Sequence, residues 1–203
     1  SVGVALIGLL GFTISGLAIF TGTITNKLVK NIDDDNKGDA IINVLYSFYF
    51  IGGIFFLGTS FSLLITLRNI SLNLILYLFI ITIITDTYAY LVGRLIGKTK
   101  LLETISPNKT LEGMIGGTVV GVFVGTLFYH TVVDSLLPLY IVIIMTVFLS
   151  VLGQFGDLFF SAIKRYYKTK DFSNIMPGHG GILDRFDSII FVVLGFMFFI
   201  SII

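Results

Sequence analysis

Apolar runs long enough to cross a bilayer recur along this chain, separated by short stretches that hold most of its charges. A spanning helix needs about 20 mostly apolar residues to cover a hydrocarbon core of about 30 Å. By that measure the sequence predicts six spans, at residues 1–20, 41–67, 71–92, 113–129, 139–161 and 186–203. The expectation is an all-α, polytopic integral membrane protein of about six transmembrane helices, forming a single transmembrane domain over 1–203. The second run exceeds one crossing and contains Gly52-Gly53, so it is long enough to tilt, kink or divide. The first run begins at Ser1 rather than Met and has no basic residue ahead of it, unlike a signal peptide; the sequence is expected to begin inside a longer protein. No internal repeat, low-complexity tract or soluble domain interrupts the pattern.

Composition narrows this further. Only 12% of the residues are charged, where soluble domains average about 25%, and 55% are hydrophobic. The absence of cysteine excludes a disulfide-stapled secreted domain. There is no tryptophan, but 9 tyrosines can take the interfacial role. The placement of charge is more telling than the net of +1. With six spans, alternate loops share a side, and one side receives 12 of the 13 basic residues, leaving Arg68 alone on the other. The positive-inside rule puts those loops in the cytoplasm, as expected of a protein of the cell's inner (plasma) membrane.

Carboxylates inside apolar stretches are the residues to explain, since each costs about 3 kcal/mol at the bilayer centre unless paired, hydrated or bound to a cation. Asp86 precedes Arg94 by eight residues and Asp157 precedes Lys164 by seven, on helices that both run toward the cytoplasm. The two acids are therefore expected at similar depth. Glu112, Asp184 and Asp187 open the spans that start from the same side. Five carboxylates from four helices converge on one level, and the simplest structure that keeps them charged is a polar cavity open to the cytoplasm. Asp33 to Asp35, Asp39, Glu103 and Asp134 read as solvated loop residues.

The densest chemistry begins at Asp157. Asp157 and Ser161 share one helix face, and Lys164, Arg165, Lys168 and Lys170 follow. A Pro- and Gly-rich turn then leads to a helix bearing Asp184, Arg185 and Asp187. Carboxylates from two helices suit a hard cation such as Mg²⁺, which completes its shell with water and phosphate. Gly180 and Gly181 allow close backbone approach, and the N-terminus of the last span offers N–H groups to an anion. The composite reads as a metal and polyphosphate site beside a membrane. The spacings Gly117 to Gly121 and Gly121 to Gly125 read as close helix packing, within the chain or in a homodimer.

The same residues resemble the signature of the phosphatidate cytidylyltransferases, or CDP-diacylglycerol synthases. The similarity runs through Ser161, Lys164-Arg165, Lys170-Asp171, Pro177, His179-Gly180-Gly181 and Asp184-Arg185-Phe186-Asp187, with Met176 where Leu, Ile or Phe is usual. Asp86-Thr87-Tyr88-Ala89-Tyr90 resembles the family's Asp-Thr-Gly-Ala-Tyr segment, with Tyr88 in place of Gly. Residues 106–113 resemble its Ser-Pro-Lys-Lys-Thr-Trp-Glu-Gly segment, with Asn108 and Leu111 as departures. The likeness covers 86–203, whereas 1–71 adds only hydrophobic spans.

The resemblance implies a membrane-embedded nucleotidyltransferase that converts CTP and phosphatidate into CDP-diacylglycerol and pyrophosphate, with Mg²⁺ and room for a second cation. Membrane lipids, not nucleic acid, are the implied partners. Asp157 and Asp184 resemble the metal-binding pair, with Asp187 a further ligand or a partner for Arg185. Asp157, Asp184, Lys170 and Arg185 are the expected catalytic group. Asp86, Lys109, Thr110, Glu112, His179, Gly180 and Gly181 are expected at the nucleotide, and Ser161, Lys164 and Arg165 at the lipid phosphate. His179 is equally compatible with a loop hydrogen bond. A CDP-archaeol synthase or a polyprenol kinase would share the nucleotide site, and an ion-coupled transporter is a more distant alternative.

Overall fold

The computed structural model describes residues 37–134, 136–173 and 180–202. The span expected at 1–20, together with Lys27, Lys30, Met176, Pro177 and His179, lies outside the described residues. The rest is a bundle of five helices. α1 (Lys37–Ile70) and α2 (Leu72–Ile96) are joined through Ser71, and a small hairpin of β1 (Lys100–Leu102) and β2 (Ser106–Thr110) leads into α3 (Leu111–Phe128). α3 ends in a π-helical turn, Tyr129–Val133, before α4 (Leu139–Tyr166) and α5 (Leu183–Ile202). Each of the five helices contains a segment long and apolar enough to cross a membrane. They correspond to five of the six expected spans. α1 passes through Gly52-Gly53 without a break, so the options of division there fall away.

The glycine spacing in α3 works inside the chain. Gly113, Gly117, Gly121 and Gly125 stack on one face and are all buried, which brings α3 against α2 at backbone distance. A Cβ at Gly117 would come within 2.5 Å of the Thr85 carbonyl oxygen and 2.7 Å of the Ala89 Cβ, and one at Gly121 would collide with Thr85 Oγ1. The large side chains on the opposite stripe of α3, such as Val119, Phe123 and Leu127, point outward. Thus size, not hydrophobicity, distinguishes the two faces of a helix that is apolar all round.

α4 and α5 form the centre of the core, with Val142, Met145 and Leu149 packed with Ile189, Ile190, Val192 and Val193. Polar rungs cross the apolar interior. Tyr77 meets Thr146 at 2.8 Å and Thr85 meets Ser150 at 2.9 Å, so hydroxyls buried between α2 and α4 satisfy one another. Gly156 lets α5 approach just before Asp157; a Cβ there would lie 3.0 Å from the Asp187 carbonyl oxygen. This contact sets the two acid-bearing helices side by side.

Candidate active site

The hairpin is a structure that the sequence reading takes for plain loop, and it carries the residues that cover the site. Lys100 pairs with Thr110 and Leu102 with Ser106, with a register irregularity between them. Thr110 caps α3 through its Oγ1, which accepts from Gly113 N at 3.2 Å. Glu112, in the first turn, reaches back to accept from Lys98 N, Thr99 N and Thr99 Oγ1 at 2.9–3.2 Å. Its carboxylate thereby anchors the chain entering the hairpin. Glu112, expected at the nucleotide, is held here by Lys98 and Thr99 and is not among the residues that line the cavity described next.

Beneath the hairpin is a cavity of about 280 Å³ lined by the hairpin and by α2, α3 and α4. Its polar lining includes Asp86, Asn108, Lys109, Thr110, Gln154 and Asp157. Lys109 Nζ lies 2.5 Å from Asp157 Oδ2, and Ser161 donates to Asp157 Oδ1 at 3.2 Å. Ser188 on α5 donates to Asp86 Oδ2 at 3.4 Å. Asp86, Asp157 and Asp187 are near enough to interact electrostatically, with Lys109 as a shared counter-charge. The acids expected to converge from α2, α4 and α5 do form one neighbourhood.

A second ionic group adjoins it. Lys164 is buried, with Nζ 2.9 Å from Asp184 Oδ1, 3.8 Å from Asp187 Oδ2 and 5.3 Å from the centre of the Phe172 ring. The other oxygen of Asp184 accepts from Phe172 N at 2.9 Å and Gly181 N at 2.8 Å. Asp184, in the first turn of α5, is thus held by N–H groups of the chain that precedes the helix. Gly180 takes a left-handed conformation at φ 80°, and a Cβ on Gly181 would strike Ser173 Oγ. The close approach these glycines permit is to the segment around Asp171 and Ser173. Lys164, expected at the lipid phosphate, is instead enclosed with two aspartates, because α4 continues to Tyr166 and turns it inward.

Arg165 donates through Nε to the Ile105 carbonyl at 3.3 Å, joining the end of α4 to the hairpin turn. Lys170 and Arg185 are exposed. Among the described residues no three His, Asp or Glu side chains form a group able to hold a metal by themselves. The sequence reading also passes over Gln154, three residues before Asp157 and on the same side of α4, which lines the cavity. A carboxamide in an otherwise apolar run was the available signal.

Apolar helices gathered around a cavity of carboxylates and lysines, closed over by a hairpin, define an integral membrane protein with a polar site at one end of its bundle. The chain belongs to the cytidylyltransferase family, whose sequence profile matches residues 3–203. It is 45% identical over 148 residues to phosphatidate cytidylyltransferase of Bacillus subtilis strain 168, covering 71% of this chain and 54% of that protein. It is 46% identical over 138 residues to the phosphatidate cytidylyltransferases of Staphylococcus saprophyticus and Staphylococcus haemolyticus, covering 68% of this chain and 53% of each. The chain spans about half the length of these curated relatives.

Proposed function

We propose that this chain carries the catalytic part of a membrane-embedded nucleotidyltransferase that makes CDP-diacylglycerol and pyrophosphate from CTP and phosphatidate. The observation that carries the reading is the meeting of Lys109 with Asp157 across the cavity, beside Asp86 and Asp187. Asp86, Lys109 and Asp187 come from three separate motif segments of the family likeness, and Asp157 lies one helical turn ahead of the third. The charge asymmetry of the loops supports six crossings with the cavity facing the cytoplasm, where CTP is found.

The attacking group is a phosphate oxygen of the lipid, already mostly dianionic at neutral pH because a phosphomonoester has a second pKa of about 6. It attacks the α-phosphorus of CTP. A new P–O bond forms, the bond to the bridging oxygen of the β-phosphate breaks, and pyrophosphate departs. No general base is needed; the obstacle is repulsion between two anions, met by positioning and positive charge. Lys109, Lys170 and Arg185 face the triphosphate, and Ser161 and Arg165 the lipid phosphate. Lys164 acts indirectly by holding Asp184 and Asp187 in place.

The donor set fits Mg²⁺. That ion needs only one or two protein carboxylates when phosphates complete its shell, so the absence of a preformed three-acid cage among the described residues is no obstacle. Asp157 and Asp184 would hold it, with Asp187 a further ligand, and lysine ammonium groups now sit against these carboxylates. When bound, such ions neutralise the phosphates and align the attacking and leaving oxygens.

The test uses the whole protein in sealed vesicles with labelled CTP and phosphatidate. Wild type should yield CDP-diacylglycerol and pyrophosphate when CTP is supplied on the cytoplasmic face. Asp157→Asn should lower turnover about 10³-fold, several kcal/mol of barrier, while still inserting. Release of CDP instead of pyrophosphate would identify a kinase and overturn the proposal, as would near-normal turnover by Asp157→Asn overturn the metal assignment.

A further inference from the structure

Gln154 is buried in α4, 6% exposed, one turn before Asp157 and on the wall of the same cavity. Its Nε2 lies 2.9 Å from Thr118 Oγ1 and 3.5 Å from the carbonyl oxygens of Met114 and Ser150. The carbonyls can only accept. Thr118 gives its own hydroxyl proton to the Met114 carbonyl at 2.9 Å, so toward Gln154 it too can only accept. All three neighbours therefore demand the NH₂ group, which fixes the amide orientation chemically. The carboxamide oxygen is left over, and among the described residues no donor meets it.

We propose that Gln154 reads the nucleobase: its Oε1 accepts a hydrogen bond from the 4-amino group of cytosine and sets the preference for CTP over UTP. The inference rests on the CTP-dependent activity proposed above. Leu101, Met114 and Leu158 line the same cavity and supply apolar surface for a pyrimidine ring. One helical turn from Gln154 to Asp157 rises about 4.5 Å, so a base at Gln154 leaves the phosphates toward Lys109 and Asp157. Uracil carries a carbonyl where cytosine carries the amine. Two acceptors would then face each other beside the buried Gln154, each without a proton, and such unpaired groups discriminate strongly between otherwise similar ligands.

The experiment compares kcat/KM for CTP, UTP and the triphosphate of pyrimidin-2-one riboside, which lacks only the amino group, on the whole protein. Wild type should favour CTP over both by about 10- to 100-fold. Gln154→Leu should bring the CTP to UTP ratio to within about threefold, mainly by weakening CTP, and Gln154→Asn, with its oxygen drawn back, should fall between. Wild-type protein that uses all three nucleotides alike overturns the proposal without any variant, so a folding failure of Gln154→Leu does not shelter it. An active Gln154→Leu that keeps the wild-type ratio also overturns it. Absence of any CTP turnover by wild type overturns the activity itself, whereas turnover without discrimination overturns only the role of Gln154.

Discussion

Two lysines meet aspartates at the same end of this bundle, and their surroundings give them different work. Lys109 reaches from a hairpin to Asp157 with the side chains 30% and 28% exposed, so the pair opens on the cavity and can exchange partners with a ligand. Lys164 is 11% exposed against 8% for Asp184 and 13% for Asp187, and backbone N–H groups complete the shell of Asp184. A buried charge that loses its partner has no water to turn to, whereas a half-exposed one does. The difference separates a buried lysine that holds its two aspartates in place from an open pair that can exchange partners with a ligand.

The strongest challenge to that contrast is Lys164→Met. It should destabilise the protein by about 3–5 kcal/mol by stranding two carboxylates, read as a lower unfolding midpoint in detergent. Adding Asp184→Asn should return part of the loss, and a single variant as stable as wild type would show that the buried group is not structural. Next in size is Lys109→Met, which should cost about 10²-fold in turnover but change stability by less than about 1 kcal/mol. If its unfolding midpoint drops as far as that of Lys164→Met, the division of roles fails. The smallest effect belongs to Arg165→Ala, which frees the hairpin turn from α4. It should raise the KM for CTP about threefold with stability unchanged within about 0.5 kcal/mol, and an unaltered KM would show that hairpin docking does not matter to the site.

Much of the bundle was legible because a bilayer imposes length and apolarity on whatever crosses it. The five described helices follow the expected spans, and the depth argument for Asp86 and Asp157 needed only the rise of a helix and the position of the next basic residue. The candidate site was legible as a set of residues but not as an arrangement. Glu112 and Lys164 look from sequence like ligand-binding groups, since any charged residue beside a glycine turn or in a basic run does. Only the neighbours reveal that Glu112 accepts from Thr99 and Lys98, and that Lys164 pairs with Asp184. Asn108 and Thr110 reach the cavity because the segment before α3 pairs with Lys100–Leu102, a short contact too irregular to leave a periodic trace.

Hydrophobic run length, charge asymmetry and the spacing of the acids determined from sequence alone that this is a helical membrane protein with a charged end. These are one-dimensional properties, fixed by the thickness of the bilayer and the geometry of a single helix. Tertiary structure decided which carboxylate meets which lysine, that the α3 glycines face α2, and that Gln154 lines the cavity. Each of those outcomes depends on what a neighbouring element presents within hydrogen-bonding or packing distance, and no local stretch of sequence contains that information.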